Sequence, residues 1–308
     1  MRIVFMGTPD FAVPCLDRLV SDGHEVVGVF TQPDKPKGRG NKMTMPPVKE
    51  KALEYGIEVF QPRSMRDGEA LEILKRLNPE LVVVTAFGKI LPAEILNEPK
   101  YGCINIHASL LPRYRGAAPI QWSVINGESE TGVTSMQMDV GLDTGDMLIS
   151  ESVPISQEDT AETVHDRLSV LGGEVLSKTV DALIKGELQP KKQDDSASNY
   201  APVLTKELSP IDFTQSAQSI HNKIRGLYPW PSASTVINDK RLKIHSARVA
   251  EDTTEKPGTV VSVGDRLTVS CGDGKCIEFL TVQAEGKKAM SAQDYMRGNR
   301  IEKGTVLS

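Results

Sequence analysis

The sequence predicts a doubly wound α/β domain followed by a small antiparallel β-barrel. In the first half, short β-branched runs alternate with helical patterns, as in chains that form a parallel sheet covered by helices. The run Leu81–Thr85 is almost wholly apolar, as expected for a strand buried on both faces of such a sheet. After about residue 209 the pattern changes to short strands separated by turn residues. A length of 308 residues is enough for two domains, each with its own core.

The elements of the first half follow a regular β–α rhythm. In chain order we predict strand 2–7, helix 9–21, strand 24–31, strand 58–61, helix 68–77, strand 81–85, strand 102–107, strand 131–139, strand 147–155 and helix 160–184. The order indicates a Rossmann-like sheet, whose ligands bind outside the carboxyl ends of the strands. Polar residues that follow the strand ends are therefore the first candidates for a site.

The second half predicts one helix and then several short strands. They are helix 216–227 and strands 233–237, 242–249, 258–263, 267–271 and 276–283. This spacing favours an antiparallel, OB-like barrel. We therefore divide the chain into an α/β domain at 1–189 with an inserted loop at 32–47, a polar linker at 190–208 and a barrel domain at 209–308.

Composition and charge limit the classes of function. No apolar run approaches the roughly 18 residues that would span a bilayer, and the amino terminus shows no targeting pattern. We therefore expect a cytoplasmic protein with no membrane partner. A net charge of −5 argues against a protein that coats nucleic acid through its overall field. From residue 208 onward, however, 14 Lys and Arg exceed 11 Asp and Glu by 3, which permits a local basic face on the barrel.

Cofactor and nucleophile motifs are missing from the sequence. The four cysteines form no Cys-x-x-Cys pair, so we expect reduced thiols and no metal. The turn after the first strand carries Pro9 and Asp10 where a dinucleotide fold needs glycines, which argues against a nicotinamide or flavin cofactor. No Ser or Cys lies in a nucleophile elbow, so a covalent acyl intermediate has no support.

Asn105 and His107 are the most informative pair of residues. Alternation along a strand places residues i and i+2 on the same side, here at the carboxyl end of a predicted strand. Two polar side chains on one side of an apolar strand are costly unless they bind something. A rigid loop rich in Pro and Gly follows them. A purely structural histidine and a site histidine remain equally good interpretations at this point.

Asp143 lies in the acidic, glycine-rich run 139–146. Three aspartates in eight residues could form a cation loop, but their spacing does not match an EF-hand and no glutamate closes it. An acid on a glycine-rich loop near a histidine suits proton transfer better, because the carboxylate can accept a proton through water. The remaining histidines have no ligand spacing, and we predict structural roles for His24, His165, His221 and His245.

The inserted loop 32–47 is longer than the usual connection between a strand and a helix. It carries four cations, Lys35, Lys37, Arg39 and Lys42, against one anion, Asp34. Charged loops are often merely solvated. A long basic loop at the ligand edge of the sheet also suits an arm that binds phosphate, and its Gly, Pro and Lys content predicts that it orders only when it binds.

Two segments together resemble a known family. They are 105–119 (NIHASLLPRYRGAAP) and 138–146 (MDVGLDTGD). With them, and with segments 7–14 and 201–207, the chain resembles the methionyl-tRNA formyltransferases over nearly its whole length. The Asn-x-His and Leu-Asp core is shared by all folate-dependent formyltransferases. The Arg-Gly-Ala-Ala-Pro segment, the basic loop and the barrel-like carboxyl half narrow the resemblance to this family.

The resemblance implies an activity and a set of site residues. It implies that 10-formyltetrahydrofolate donates a formyl group to the α-amine of methionyl initiator tRNA during translation initiation, by a monomer without metal. The catalytic residues would be Asn105, His107 and Asp143. The folate site would comprise Ser109, Leu110, Leu111, Pro112, Phe87, Gly88, Ile90, Leu91 and Pro92. The tRNA would contact Arg39 above all, with Lys35, Lys37 and Lys42, and the barrel would hold the tRNA body.

Three alternatives stay open from sequence alone. A formyltransferase acting on a small amine, such as glycinamide ribonucleotide or an amino sugar, would share the catalytic residues but need neither the basic loop nor the barrel. A hydrolase that deformylates the folate would likewise need neither the basic loop nor the barrel. A tRNA-binding protein without catalysis would not need Asn105, His107 and Asp143. Trp230 and Tyr228 could stack on bases, but packing at the domain junction explains them better.

Overall fold

A computed structural model describes residues 1–37 and 42–307 of the chain. Helices α1 to α8 span Val13–Ser21, Pro47–Glu54, Glu69–Leu77, Ala93–Leu96, Pro119–Ile125, Ala161–Lys185, Ala217–Gly226 and Ala292–Gly298. Strands β1 to β17 span Arg2–Gly7, Glu25–Phe30, Lys35–Lys37, Lys42–Thr44, Val59–Phe60, Leu81–Thr85, Cys103–His107, Arg115–Gly116, Glu130–Gln137, Met147–Pro154, Tyr200–Ala201, Ala233–Ile237, Lys240–Asp252, Val260–Ser262, Leu267–Ser270, Lys275–Ala284 and Met290–Ser291.

Packing divides the described chain into two units. The first comprises 1–119, 131–153 and 165–201, and the second comprises 120–130, 154–164 and the chain from 202 onward. The predicted linker at 190–208 is therefore divided at Ala201, and its first part packs with the first unit. No helix among the described residues has the length and apolar character that would carry it through a membrane.

The first unit is built on one sheet with the strand order β10-β9-β7-β6-β1-β2-β5. Strand β1 pairs in parallel with both β2 and β6, and β7 pairs in parallel with β6. The chain thus runs outward from β1 in both directions, which confirms the predicted doubly wound α/β fold. Strand β9 is antiparallel to β7, which the sequence did not predict.

The burial of β6 explains why its sequence is almost wholly apolar. All five of its residues, Leu81 to Thr85, are buried, because helices cover both faces of the sheet at its centre. Val82 and Val84 join a core cluster with Val4 and Met6 of β1 and Leu74 of α3. At about 25 cal/mol per Å² of apolar surface removed from water, such strands supply much of the driving force for folding. The rigid centre holds the strand ends that carry the site.

The second unit carries an antiparallel sheet. Its order is β12-β13-β16-β15-β14, with β17 on β16, and each pairing resolved between these strands is antiparallel. The sheet curls into a half-barrel, which confirms the predicted small antiparallel β domain. Helix α7 precedes it, as the sequence predicts, with Ser216 capping its first turn through a bond from the Ser219 amide.

The inserted basic loop contains regular structure that the sequence did not predict. Strands β3 and β4 pair antiparallel, with Lys35 opposite Thr44 and Lys37 opposite Lys42. The loop therefore has a hairpin stem. Arg39 lies at 38–41, outside the described residues, so its predicted tRNA contact is a prediction from the sequence alone.

Candidate active site

Strand β7 brings Asn105 and His107 to the ligand edge of the sheet. It lies between parallel β6 and antiparallel β9, with Asn105 opposite Val84 and His107 opposite Thr134. Alternation places Asn105 and His107 on one face, as predicted. His107 is buried and Asn105 is half-buried. The polar pair therefore lies at the strand end where ligands bind in sheets of this kind.

The protonation of His107 is constrained by a backbone carbonyl. Its Nε2 atom lies 2.9 Å from the carbonyl oxygen of Tyr114. Because a carbonyl can only accept, Nε2 carries the proton in this bond. The nitrogen that can exchange a proton with a ligand is therefore Nδ1. From Nδ1, the ring accepts a proton when it is neutral and donates one only as the imidazolium.

Asp143 faces that exchangeable nitrogen. Its Oδ2 atom lies 3.8 Å from Nδ1 of His107, and the two side chains are 12% and 7% exposed. The same oxygen accepts a hydrogen bond of 2.8 Å from the backbone amide of Gly116. At 3.8 Å the two groups make no direct hydrogen bond, and one water can relay a proton between them. The structure thus brings together two of the three predicted catalytic residues in measured contact.

Gly116 holds the carboxylate because no side chain fits at this position. Its φ is +114°, a conformation that residues with a Cβ rarely adopt. A Cβ there would lie 2.6 Å from a ring carbon of Tyr200 and 2.7 Å from the carbonyl oxygen of Ala201. Gly116 and Ala201 belong to β8 and β11, which pair in parallel. The amide that orients Asp143 is therefore fixed by a strand pairing.

The loop after β7 is held by hydrogen bonds to Thr134 of β9. The Thr134 hydroxyl donates to the carbonyl of Ser109 at 2.8 Å and accepts from the amide of Leu111 at 3.2 Å. Ser109 itself is fully buried, and its hydroxyl donates to the carbonyl of Arg113 at 2.7 Å. Leu110 and Pro112 are half-buried, and Leu111 is buried. Of the folate residues predicted in this loop, Ser109 therefore supports the backbone with its side chain.

The second predicted folate segment, 87–92, follows β6. Phe87 and Leu91 are buried in the core, whereas Gly88 and Ile90 are exposed, Ile90 to 68%. The side-chain amide of Gln32 donates to the carbonyls of Phe87 and Gly88 at 3.1 Å each. This ties the end of β6 to the root of the inserted loop. Pro92 is half-buried at the start of α4.

A polar cluster anchors the root of the inserted loop. Nζ of Lys49 lies 2.9 Å and 2.8 Å from the two carboxylate oxygens of Asp34 and 2.9 Å from Oε1 of Gln61. Hydrogen bonds from Lys49 and then Gln61 lower the pKa of Asp34 below its ordinary value. Lys35 and Lys42, on the hairpin stem, are exposed. The stem that carries these predicted tRNA-binding cations is therefore anchored at its root by the contacts of Asp34 with Lys49 and Gln61.

Cys103 lies on the same strand as Asn105 and His107 but is chemically inert. It is buried, and burial raises the pKa of its thiol to about 12. At neutral pH the thiol is not ionised and makes a poor nucleophile. This agrees with the absence of a nucleophile motif in the sequence, and direct attack by an external amine fits the arrangement better.

Comparison with known proteins supplies the reaction class. A sequence model of the formyl transferase family matches residues 1–180, and a model of the formyl transferase C-terminal domain matches residues 203–300. The chain belongs to the formyl transferase family. A methionyl-tRNA formyltransferase from Caldanaerobacter subterraneus subsp. tengcongensis is 53% identical over the whole of both chains. One from Geobacter metallireducens is 52% identical over all of this chain and 98% of its own.

The fold recurs in more distant solved structures. An N-formyltransferase from Helicobacter canadensis, solved with folinic acid and dTDP-3-aminofucose, aligns with a TM-score of 0.71 over 92% of this chain and 98% of its own. Its sequence identity is 22%, so the likeness shows the shared formyl transferase fold and not a shared substrate.

Sequence reasoning missed a group of residues that contact the site loops of this formyl transferase. They lie in the predicted linker and in β8: Gln193, Asn199 and Arg115. Gln193 bonds to the carbonyls of Asp143 and Gly145, and Asn199 bonds to the amide of Tyr114. The available signal was modest: the segment 190–208 contains no glycine and many amide and carboxylate side chains. A flexible linker is usually richer in glycine and serine.

Proposed function

We propose that this protein transfers the formyl group of 10-formyltetrahydrofolate to the α-amine of methionyl initiator tRNA, which yields formylmethionyl-tRNA for translation initiation. The observation that carries the proposal is the site at the end of β7, where His107 Nδ1 faces Asp143 Oδ2 at 3.8 Å. Support for the acceptor comes from relatives named methionyl-tRNA formyltransferase that align over the full chain at about half identity. The proposed location is the cytoplasm, where translation takes place, and the proposed state is a monomer.

Asn105 and His107 are proposed to stabilise the oxyanion. Attack of the amine on the formyl carbon forms a C–N bond and places negative charge on the formyl oxygen. The side-chain amide of Asn105 and the protonated Nδ1 of His107 lie on one face of β7 and would both donate to that oxygen. Each such donor contributes roughly 10²–10³ in rate.

Asp143 and His107 are proposed to handle the protons. The attacking nitrogen must lose a proton, which Asp143 accepts through water. The folate nitrogen that leaves when the old C–N bond breaks must gain a proton, which His107 donates from Nδ1. One proton then passes through a water from Asp143 to His107, whose Oδ2 and Nδ1 atoms are 3.8 Å apart, and restores both groups. The two steps balance without a covalent enzyme intermediate.

The folate is proposed to lie against the loops after β6 and β7. Gly88 and Ile90 are exposed, and Leu110 and Pro112 are half-buried. The loop that contains Leu110 and Pro112 is held by the hydrogen bond from Thr134 to Ser109. Backbone groups of 87–92 would recognise the pterin, since all five folate-site candidates in that segment are apolar or glycine. Ser109, Leu111, Phe87, Leu91 and Pro92 would shape this surface.

The tRNA is proposed to contact both parts of the chain. The hairpin stem offers Lys35 and Lys42, which are exposed, and Lys37 and Arg39 extend the same basic run in the sequence. We assign catalysis to 1–189 and binding of the tRNA body to the antiparallel domain at 209–308. That domain carries an excess of 3 positive charges, from 14 Lys and Arg against 11 Asp and Glu after residue 207.

The test is an acceptor comparison with purified protein and 10-formyltetrahydrofolate. Methionyl initiator tRNA, methionyl elongator tRNA, glycinamide ribonucleotide, a dTDP-linked amino sugar and buffer alone would be offered in parallel. We expect rapid formylation of the methionyl initiator tRNA and little consumption of the folate elsewhere. Transfer to a small amine or to water, with none to tRNA, would overturn the proposed acceptor.

A further inference from the structure

The backbone of Asp143 is held in an uncommon conformation by a side chain from outside its loop. Its φ is +54°, in the left-handed region that a residue with a Cβ occupies at a cost of about 1–2 kcal/mol. Nε2 of Gln193 donates to the carbonyl oxygens of Asp143 and Gly145, at 2.8 Å each. A strained residue persists only where its surroundings determine it, and here the surroundings include Gln193.

The orientation of the Gln193 amide is settled by its partners. Its nitrogen faces two carbonyl oxygens, which can only accept, and its Oε1 accepts from Nε of Arg115 at 2.9 Å. Arg115 is only 12% exposed, and its neighbour Gly116 donates to the Asp143 carboxylate. The contacts therefore close a ring: carboxylate, Gly116 amide, Arg115 side chain, Gln193 amide and the carbonyl of Asp143.

A second contact from the same segment acts on His107. The Oδ1 atom of Asn199 accepts from the amide of Tyr114 at 2.5 Å, and the Asn199 carbonyl accepts from the amide of Arg115 at 3.0 Å. Tyr114 also has a positive φ, +60°, and its carbonyl holds Nε2 of His107. The backbone carbonyl of Asn199 thus holds the peptide whose oxygen binds Nε2 of His107, and the Asn199 side chain holds the preceding peptide, on the other side of Tyr114.

We propose that segment 191–201 is a clasp of the active site, in which Gln193 positions Asp143 and Asn199 positions His107 through Tyr114. The segment is tied down at both ends, by paired backbone bonds of 2.8 Å between Lys191 and Met147 and by the pairing of β11 with β8. Gln193 and Asn199 are positioning residues, because each acts on the reaction through another group. This inference rests on the proposed function for its assay.

The two contacts have opposite hydrogen-bond polarity, and this makes the test selective. At position 193 the amide nitrogen donates, whereas at position 199 the amide oxygen accepts. Gln193→Glu keeps the length of the side chain and an acceptor for Arg115, but it replaces the donor with an oxygen facing two carbonyls. Asn199→Asp keeps the acceptor for the Tyr114 amide. The same amide-to-acid change should therefore impair one position and be tolerated at the other.

The experiment measures single-turnover formyl transfer to methionyl initiator tRNA at saturating folate and tRNA. We expect Gln193→Glu, Gln193→Ala and Asn199→Ala to lower the rate by roughly tenfold to a hundredfold, as a misplaced catalytic group does. Asn199→Asp should stay within about threefold of the wild type, since it preserves the contact. Gln157→Ala is the matched control, because it removes an exposed side-chain amide whose Oε1 accepts from Gln218 and which makes no contact with Asp143 or Tyr114.

A double variant separates positioning from general stability. In an Asp143→Asn background, Gln193→Ala should change the rate by less than about twofold, because groups that act as one unit are not additive. Equal loss from Gln193→Ala in both backgrounds would overturn the clasp, as would a wild-type rate in Gln193→Glu. Lack of transfer by the wild-type protein would instead contradict the proposed function, so the two failures are distinguishable.

Discussion

The Nδ1 atom of His107 lies 3.8 Å from Oδ2 of Asp143, while Nε2 of the same ring is 2.9 Å from the carbonyl oxygen of Tyr114. The carbonyl keeps one nitrogen protonated, so the ring works through Nδ1 alone. The spacing to Asp143 suits a proton relay through one water. This arrangement supports the proposed proton exchange between an incoming amine and a departing nitrogen.

The first prediction concerns the charge of Asp143. Asp143→Asn keeps an oxygen that can accept from the Gly116 amide but cannot take up a proton from the attacking amine. We expect the single-turnover rate to fall by about 10²–10⁴-fold, with folate affinity within a few-fold of the wild type. Rapid quench and equilibrium titration would measure the two quantities. Asp181→Asn, at an exposed ion pair on α6, is the control, and near-normal turnover of Asp143→Asn would refute the proton role.

The second prediction concerns Gly116. Gly116→Ala places a Cβ 2.7 Å from the backbone oxygen of Ala201, which is too close for both atoms to stay in place. The backbone at position 116 must then shift, and its amide moves away from the Asp143 carboxylate. We expect roughly a hundredfold loss of rate, because catalytic groups tolerate little displacement. Gly186→Ala is the matched control: Gly186 also has a positive φ, +71°, but a Cβ there meets nothing within 4 Å. It should lose about 1–2 kcal/mol of stability and keep its activity.

Much of the fold follows from the sequence because local patterns and burial agree. Strands β6 and β12 have the bounds that the sequence predicts. In both, the apolar side chains themselves determine which residues are buried. Helix α2, which starts at Pro47, was missed because the preceding basic loop obscured its beginning. The stem of β3 and β4 was missed because Pro36 and a run of cations do not resemble a strand.

The site could be predicted only where a motif lies on one element. Asn105 and His107 share a strand, so alternation alone places them together. Gln193 and Asn199 are 50 or more residues away from the positions they hold at 143 and 114, and no local pattern links them. Their contacts depend on where segment 191–201 packs. Tertiary packing decides this, and composition alone indicated a linker.

The third prediction concerns the hairpin stem. Lys35→Ala and Lys42→Ala each remove an exposed cation from the proposed tRNA arm. If each contacts a phosphate, the slope of log affinity against log salt should become shallower by about 0.7–0.9 per lysine, with the rate at saturating tRNA unchanged. Lys75→Ala, on α3, serves as the control. Unchanged salt slopes in both stem variants would remove the hairpin from the tRNA interface.

The fourth prediction concerns the pH dependence of stability at the loop root. The bond from Lys49, with that from Gln61, lowers the pKa of Asp34 in the folded state. Its contribution to stability is therefore present above the ordinary Asp pKa of about 3.9 and is lost as the pH falls through the lower folded pKa. Thermal unfolding of Lys49→Met should begin below the wild-type Tm at pH 5–7. That difference should shrink toward pH 3, and a constant difference would contradict the assignment.

The most direct test of the central claim is single-turnover formylation of methionyl initiator tRNA by the wild type and by His107→Ala. Removing the imidazole deletes both the Nδ1 donor and its partner for Asp143 at 3.8 Å. We predict rapid transfer by the wild type and a loss of at least about 10³-fold in the variant, measured at a temperature at which circular dichroism shows both proteins to be folded. Comparable transfer rates for the two proteins would contradict the account.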